Sequence, residues 1–453
     1  MSYKIVQIEV TQPLSNITLS DDNTGLALIV RRKERPIGFM MREFSPQSII
    51  SAEEIARWIT KKIGSKLLQD SIREELIIPL ATEQFPSLTV AICTKDRPEN
   101  LARCLNSLLK LRSLSTTPGG KSQNTQELVR RDGQRLDCPQ GCPAAVTDAQ
   151  FEVLVVDNAP SDNRTRELVA TLDNVNYVCE PKAGLDFARN RAIMEAKGEI
   201  LAYLDDDVTV DRQWLDGLKE AWSENPDAAA FTGLVLPYEL ETEAQILFEK
   251  RGGFRRGFKK IRYGKILPGN SLYPGSVSGT CGVGCNMAFK REVLIKLGGF
   301  DEALDTGAPL PGGGDLDIFY RVIRGGYVLV YEPRYLIYHQ HRRELAKLRH
   351  QYWTWGLGLM TFLAKSYQYD PSQRLKLLRL INCCFRDFFQ QLIKSFFGLH
   401  SLPPGMILSE IWGGIIGLLG EYSRSQKRIE QIERQFPDST VTFPFDLSST
   451  NSN

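Results

Sequence analysis

Long apolar runs are missing from this chain of 453 residues. A membrane-spanning helix needs roughly 18 to 20 uninterrupted apolar residues. The nearest approach, "GMILSEIWGGIIGLLG" at 405–420, is interrupted by Glu410 and five glycines. It fits a buried core helix or one lying in a bilayer interface, with the core helix preferred. The opening "MSYKIVQIEV" lacks the basic segment and apolar core of a secretory signal. Nine cysteines run from Cys93 to Cys384 without the dense spacing of a disulfide framework, so a cytoplasmic, reducing compartment is expected. A net charge of +2 carries no global signature of nucleic-acid binding, and any electrostatic specialisation must be local.

What the chain does have is ordinary globular composition, 42% hydrophobic and 24% charged, at a length that suggests two or three folding units. Residues 1–80 alternate short strand-like runs ("KIVQIEV", "LALIVRR") with a helix at "SAEEIARWITKKIGSKLLQD", where Ser51 and Glu54 have capping-box spacing. This predicts a small N-terminal α+β accessory module. From Leu88 the strands "LTVAIC", "FEVLVVDN", "VNYVCEP" and "EILAYLDDD" alternate with helical stripes at "PENLARCLNSLLKL", "SDNRTRELVATL" and "GLDFARNRAIMEAKG". That alternation predicts an α/β domain with a mostly parallel sheet over 86–345. Residues 112–148, polar and rich in Gly, Pro and Ser, read as a flexible surface insertion. Its "CPQGC" has no second pair at metal spacing, so a zinc site is not expected. Residues 346–436 read as a helical C-terminal region and 437–453 as a disordered tail.

In a parallel sheet, ligands bind where the carboxyl ends of the strands converge. Three such ends, "TKDR", "DNAPSDN" and "LDDDV", bring Thr94, Asp96, Arg97, Asp157 and Asp205 to Asp207 to one edge. Crowded carboxylates repel one another, and a hard divalent cation taking oxygen ligands relieves that repulsion, with a substrate diphosphate completing its shell. The bland reading is that such an aspartate cluster caps a turn or helix.

Six segments in order sharpen the choice: "VAICTKDRPENLARCLNSLL", "EVLVVDNAPSDN", "KAGLDFARNRAI", "ILAYLDDDV", "GCNMAFKREVLIKLGGFDE" and "GGGDLDIFYRVIRGGY". Over roughly 86–345 the chain resembles the family 2 glycosyltransferases, which have the nucleotide-sugar-binding GT-A fold. The resemblance implies an inverting, metal-dependent transfer of a sugar from a nucleoside-diphosphate donor, most readily a UDP-sugar. It makes Asp157 the carboxylate that reads the base, puts Thr94, Asp96 and Arg97 in the first nucleotide loop, and sets Lys182 and Arg189 near base and diphosphate. Asp205 and Asp207 correspond to the DXD metal pair for Mn²⁺ or Mg²⁺, Asp207 being favoured for direct contact, and Asp206 faces ribose or donor sugar. Asp315 matches the general base. Family members often read Gly-Glu-Asp here, whereas this chain reads Gly313-Gly314-Asp315 and so loses an acceptor contact. The glycines of "PGGGD" let the backbone at Gly314 approach a bound sugar, while Asp317 reads as a helix cap. "GTCGVGCNMAF" resembles the acceptor side, near Cys285 and Asn286, or else packs a strand tightly; neither of its cysteines has a base partner for thiol chemistry.

Histidine is scarce, four in all, and two fall in "YHQHRR". Some GT-A enzymes use a late histidine as an additional metal or diphosphate ligand, which makes His339 a candidate beside the alternative of a structural hydrogen-bonded group. The basic run "KRGGFRRGFKKIRYGK" at 250–265 is a solvated loop or a contact for anionic lipid or acceptor phosphate; no nucleic-acid motif accompanies it. Three rivals are weighed. The Asp-x-Asp-x-Thr pattern at Asp205 also fits a haloacid-dehalogenase-like phosphatase, although that family places it on its first strand. An inactive nucleotide-sugar-binding protein would have lost carboxylates that are present here. Processive synthases carry spanning helices and Gln-x-x-Arg-Trp, where this chain has Thr354 before Trp355. The expected acceptor is a glycan, a lipid-linked intermediate or a small metabolite, in that order, reached in the cytoplasm or at the inner face of a membrane by peripheral contact.

Overall fold

A computed structural model describes residues 2–76, 85–114, 151–264, 280–305 and 312–437. The expected insertion beyond Leu114 and the expected tail from 438 lie outside the described residues.

The N-terminal unit comprises β1 (Ser2–Glu9), β2 (Ile17–Thr18), β3 (Asn23–Arg32), β4 (Arg35–Glu43), β5 (Ile49–Ile50) and helix α1 (Ala52–Leu76). Its three-stranded sheet runs β1-β3-β4, and β2 pairs β5. Ser51 caps α1 by accepting from the Glu54 backbone N–H at 3.2 Å. The unit is not freestanding. Ile29 of β3 belongs to the core of the large sheet, and buried Arg31 binds the Asp211 carboxylate and the Tyr338 hydroxyl of that sheet's edge.

The central region follows as β6 (Leu88–Thr94), α2 (Pro98–Leu114), β7 (Glu152–Asn158), α3 (Arg164–Ala170), β8 (Val175–Glu180), α4 (Leu185–Glu195), β9 (Ile200–Asp205), β10 (Val208–Val210) and α5 (Trp214–Glu224). It continues with β11 (Ala228–Pro237), α6 (Glu243–Arg251), β12 (Ile261–Tyr263), β13 (Asn286–Lys290), α7 (Arg291–Lys296), α8 (Gly314–Arg324) and β14 (Val328–His339). The nine-stranded sheet has the order β10-β14-β11-β13-β9-β6-β7-β8, with β12 on β14. β9, β6, β7 and β8 are parallel neighbours, whereas β13 runs antiparallel between β9 and β11. β6 is buried along its whole length because both faces are covered, which is why it reads as an apolar run without alternation. On one face it packs with Leu101, Leu105 and Leu108 of α2 and Trp214 and Leu218 of α5. On the other lie Ala188, Ala192 and Ile193 of α4 and Ile318, Phe319 and Val322 of α8.

Four helices complete the chain: α9 (Leu345–Tyr369), α10 (Arg374–Phe396), α11 (Pro404–Ile416) and α12 (Tyr422–Gln435). α9 and α11 touch backbone to backbone. A Cβ on Gly356 would lie 1.9 Å from the Glu410 carbonyl oxygen, and one on Gly413 2.0 Å from that of Trp353. Of the glycines in the run at 405–420, Gly413, Gly414 and Gly417 face α9 and let this crossing close. Within 250–265, Lys250 pairs with Glu43, Arg251 with Glu410, Arg255 with Glu249, Lys260 with Glu332 and Arg262 with Asp227. That run is knitted into the protein by its own ion pairs rather than standing as an open cationic patch.

Candidate active site

The site forms where β9 stops. Asp205 ends the strand, Asp206 and Asp207 make the turn, and β10 then pairs antiparallel with β14 so that Val208 faces His339. This register brings an imidazole from 130 residues away beside the aspartates. Donor atoms of Asp205, Asp207 and His339 all lie within 4.8 Å of one another. Burial raises the pKa of all three aspartates, and the Asp207 charge adds to the rise at Asp205 and Asp206.

The histidine tautomers follow from a chain of buried contacts. His341 Nε2 lies 2.7 Å from Glu249 Oε1, and Glu249 is held by Arg255. Burial keeps both imidazoles neutral, His341 falling to about 3 and His339 well below its usual value. A carboxylate only accepts, so His341 donates from Nε2 and its Nδ1 carries the lone pair. His339 Nδ1, 3.1 Å away, must then be the donor to His341 Nδ1. His339 Nε2 is left with its lone pair turned toward Asp207 Oδ1 at 3.3 Å, a buried oxygen with no hydrogen-bond donor. Two lone pairs facing each other in a buried site are repulsive unless a cation lies between them. Two carboxylates and one neutral imidazole fit a divalent ion of the Mn²⁺ or Mg²⁺ type, the nitrogen favouring Mn²⁺.

The other expected residues divide. Asp206 turns away from the cluster, accepting from Thr94 Oγ1 at 2.8 Å and from Arg97 at 3.3 Å, so it ties the turn to the first loop. Asp96, at φ 54°, accepts from the Ser161 N–H and hydroxyl at 2.8 and 2.9 Å and joins the loops after β6 and β7. Asp157 is buried; Oδ2 accepts from the Tyr177 hydroxyl at 2.9 Å and Oδ1 has no donor, which leaves an acceptor for a ligand N–H. Lys182 is buried with its ammonium 5.3 Å from the Phe187 ring centre. Arg189 is clamped between Asp186 at 2.9 Å and Asp305 at 3.5 Å.

Asp315 sits at the start of α8, half-exposed, with Oδ2 accepting from the Gly284 N–H at 3.0 Å. The position a Cβ on Gly284 would take is 2.9 Å from Arg189 Nη2 and 3.4 Å from Asp315 Oδ2, so only glycine lets these groups meet. Gly314 does not present its backbone to a ligand as expected. A Cβ there would fall 2.1 Å from Asp186 Oδ2, a buried oxygen with no donor. The space beside Gly314 is filled by a neighbouring aspartate from α4. Asn286 also departs from the expected acceptor role, since its amide bridges Trp214 Nε1 at 3.1 Å and the Tyr335 carbonyl at 2.7 Å. Cys285 is buried and its thiol pKa is pushed up by burial, so it offers no thiolate. Asp317 is buried between Arg321 and Lys365, each at 2.6 Å, and is structural.

Sequence reasoning missed Asp186, Asp305, Glu249 and His341. Asp186 stands in a quoted motif, but nothing local marks Glu249, which reaches the site only through the fold. Beside the cluster opens a cleft of about 870 Å³, lined by Asp96, Arg97, Asp207, His341, Arg342, Arg343, Lys347 and His350 among others. Glu99 and Glu344 also line it; Lys347 pairs with Glu344 and Arg343 with Glu239 and Glu241, so Arg97 and Arg342 are the cations it offers a diphosphate.

Residues 89–298 match the family model for glycosyl transferase family 2. That stretch, under half of the chain, is similar to a family 2 glycosyltransferase domain. Asp315 and His339 lie beyond the matched stretch and join the domain through α8 and β14. The chain is 28% identical over 159 residues to a glucosyl-dolichyl phosphate glucuronosyltransferase of Haloferax volcanii, covering 33% of this chain and 45% of that protein. It is likewise 28% identical over 159 residues to a pre-mycofactocin glycosyltransferase of Mycobacterium tuberculosis, covering 35% and 30%. The matches thus span less than half of these relatives' own length. Among solved structures, a mannosyltransferase from Pyrobaculum calidifontis in complex with GDP-Man and Mn²⁺ aligns over 82% of this chain and 84% of its own, at 17% identity and a TM-score of 0.36.

Proposed function

We propose that the chain is an inverting, metal-dependent glycosyltransferase that moves a sugar from a nucleoside-diphosphate donor, most readily UDP-linked, to an acceptor hydroxyl. The observation that carries this reading is the buried Asp207 oxygen facing the His339 lone pair, beside a cleft that Arg97 and Arg342 line. Asp205, Asp207 and His339 would hold Mn²⁺ or Mg²⁺, and the ion when bound stabilises the negative charge of the departing diphosphate. Arg97 and Arg342 of the cleft neutralise the phosphates. The unpartnered oxygen of Asp157 accepts an imide N–H such as that of uracil. Asp315 takes the proton from the acceptor hydroxyl as it attacks, and displacement from the face opposite the diphosphate inverts the anomeric centre.

Acceptors are a glycan, a lipid-linked intermediate or a small metabolite; the name of the Haloferax relative, with its dolichyl phosphate, supports the lipid-linked class. Among the described residues no helix is long and apolar enough to cross a membrane, and we place the protein in the cytoplasm with peripheral contact to the membrane's inner face. Calorimetric titration of UDP, GDP and dTDP with and without Mn²⁺ tests the donor. One nucleotide binds, and only with metal; binding of none of them overturns the reading.

The histidine chain gives a separate test. In Glu249→Gln the amide oxygen stays with Arg255 and the amide N–H₂ turns to His341, which must then accept at Nε2 and donate from Nδ1. His339 is forced to protonate Nε2, the atom that faces Asp207. Mn²⁺ affinity, measured by electron paramagnetic resonance, falls about 10- to 100-fold, the usual cost of losing an outer-sphere partner of a metal-binding histidine. An unchanged affinity removes Glu249 from the site's design.

A further inference from the structure

α10 is apolar well beyond its buried face. Leu377, Phe388 and Ser395 point into the protein and are buried. About a third of a turn round the helix Leu375, Leu378, Phe389, Ile393 and Phe396 form a single stripe at helical spacing, each 48% to 66% exposed. The connection after α10 adds Phe397 and Leu399, 75% and 77% exposed. α11 repeats the pattern. Its Gly413 and Gly414 side meets α9, while Leu408, Trp412 and Ile415, continued by Leu419, are exposed at spacings of four, three and four along the opposite side. Isolated apolar residues on a surface need no explanation, but two stripes joined by an apolar tip do.

The charges beside them are of one sign. α10 carries Arg374, Lys376, Arg379, Arg386 and Lys394 against the single carboxylate Asp387, and Glu410 of α11 is buried on Arg251. Helical spacing sets Arg386 and Arg379 along one border of the α10 stripe, with Lys376 and Lys394 farther round on the polar face. An apolar face with a cationic border is complementary to an anionic lipid surface. A second copy of the chain would instead bring the same cations against themselves.

We infer that the α10–α11 hairpin is a membrane-docking surface, which seats its aromatic and aliphatic stripe among lipid acyl chains with its lysines and arginines at anionic headgroups. This gives the peripheral contact proposed above a location, and it stands whether or not the transferase reading does. α11 packs on α9, and Lys347, His350, Gln351 and Thr354 of α9 line the cleft. The docked face is then about one helix spacing, roughly 10 Å, from the wall of the cleft, within reach of a lipid-linked acceptor.

Sedimentation of the full chain with vesicles of phosphatidylcholine, alone or mixed with phosphatidylglycerol, tests the inference. The protein pellets with the mixed vesicles, and added salt weakens the binding. A Phe389→Ser, Ile393→Ser, Phe396→Ser variant, whose changes are all at exposed positions, loses at least about tenfold in vesicle affinity. Arg379→Gln, Arg386→Gln loses about thirtyfold on anionic vesicles. Both variants keep wild-type nucleotide binding, so failure here is distinguishable from failure of the donor site. No pelleting with either vesicle, or wild-type pelleting by the serine variant, overturns the inference. So does a dimer seen by light scattering that the serine variant abolishes, since that would give the face to a second copy.

Discussion

Asp207→Ala abolishes metal-dependent nucleotide binding and lowers turnover about a thousandfold or more, the several kcal/mol that a bound cation contributes to charge stabilisation. The same substitution leaves the metal-free protein as stable as wild type or slightly more so. Burial and the charge of Asp207 hold the carboxyls of Asp205 and Asp206 up at about 6, so removing Asp207 relieves repulsion that folding has imposed. The sign of the pH effect follows. Groups whose folded pKa is raised oppose folding at neutral pH, and metal-free wild type gains stability as pH falls through about 6. Thermal melts with and without Mn²⁺ measure both parts. Wild type rises on adding metal by about 2.7 kcal/mol at a hundredfold excess over Kd, and Asp207→Ala does not move. A variant that melts early without metal would mean that Asp207 holds the turn together rather than an ion.

Asp315→Asn lowers kcat by about 10²- to 10⁴-fold, the range for loss of a general base, with nucleotide and Mn²⁺ affinities unchanged. The separation is expected because Asp315 lies outside the Asp205–Asp207–His339 cluster and its carboxylate accepts from the Gly284 and Leu316 N–H groups, one of which an asparagine oxygen still accepts. Asp317→Asn, two residues away, behaves in the opposite way. It takes a buried charge partner from Arg321 and leaves Lys365 to its other carboxylate, Asp301, and costs about 3–5 kcal/mol of stability. Equal losses of kcat from both substitutions, without loss of stability at Asp317, would remove Asp315 from the base role.

The strands around β6 were legible in the sequence because a parallel sheet covered on both faces writes itself as apolar runs, and the helices because each crossover keeps one apolar stripe. The carboxylates at the strand ends were legible for the same reason: topology alone sends them to one edge. His339 could be named as a candidate, but what turns its nitrogen toward Asp207 could not be read. That depends on Glu249, which lies 90 residues earlier in α6 and meets His341 only after β14 has docked beside β11. Asn286 misled because a strand residue that bridges two neighbours and one that faces a ligand have the same local sequence. Gly314 misled because its missing side chain makes room for Asp186, a contact between two helices with no sequence signature. The apolar run at 405–420 was read as a choice between core and interface, and α11 buries one side against α9 and leaves the other exposed.

The buried bonds of Arg31 tie the N-terminal strands to Asp211 and Tyr338, which flank the two short stretches that deliver Asp207 and His339. The chain changes pattern near residue 80, yet the energetic seam does not fall there. A fragment beginning at β6 would leave Asp211 without its cation, on the very strand pair that sets the spacing of Asp207 and His339. The N-terminal unit, built on its own apolar core, is thus a brace for the edge that carries those two residues.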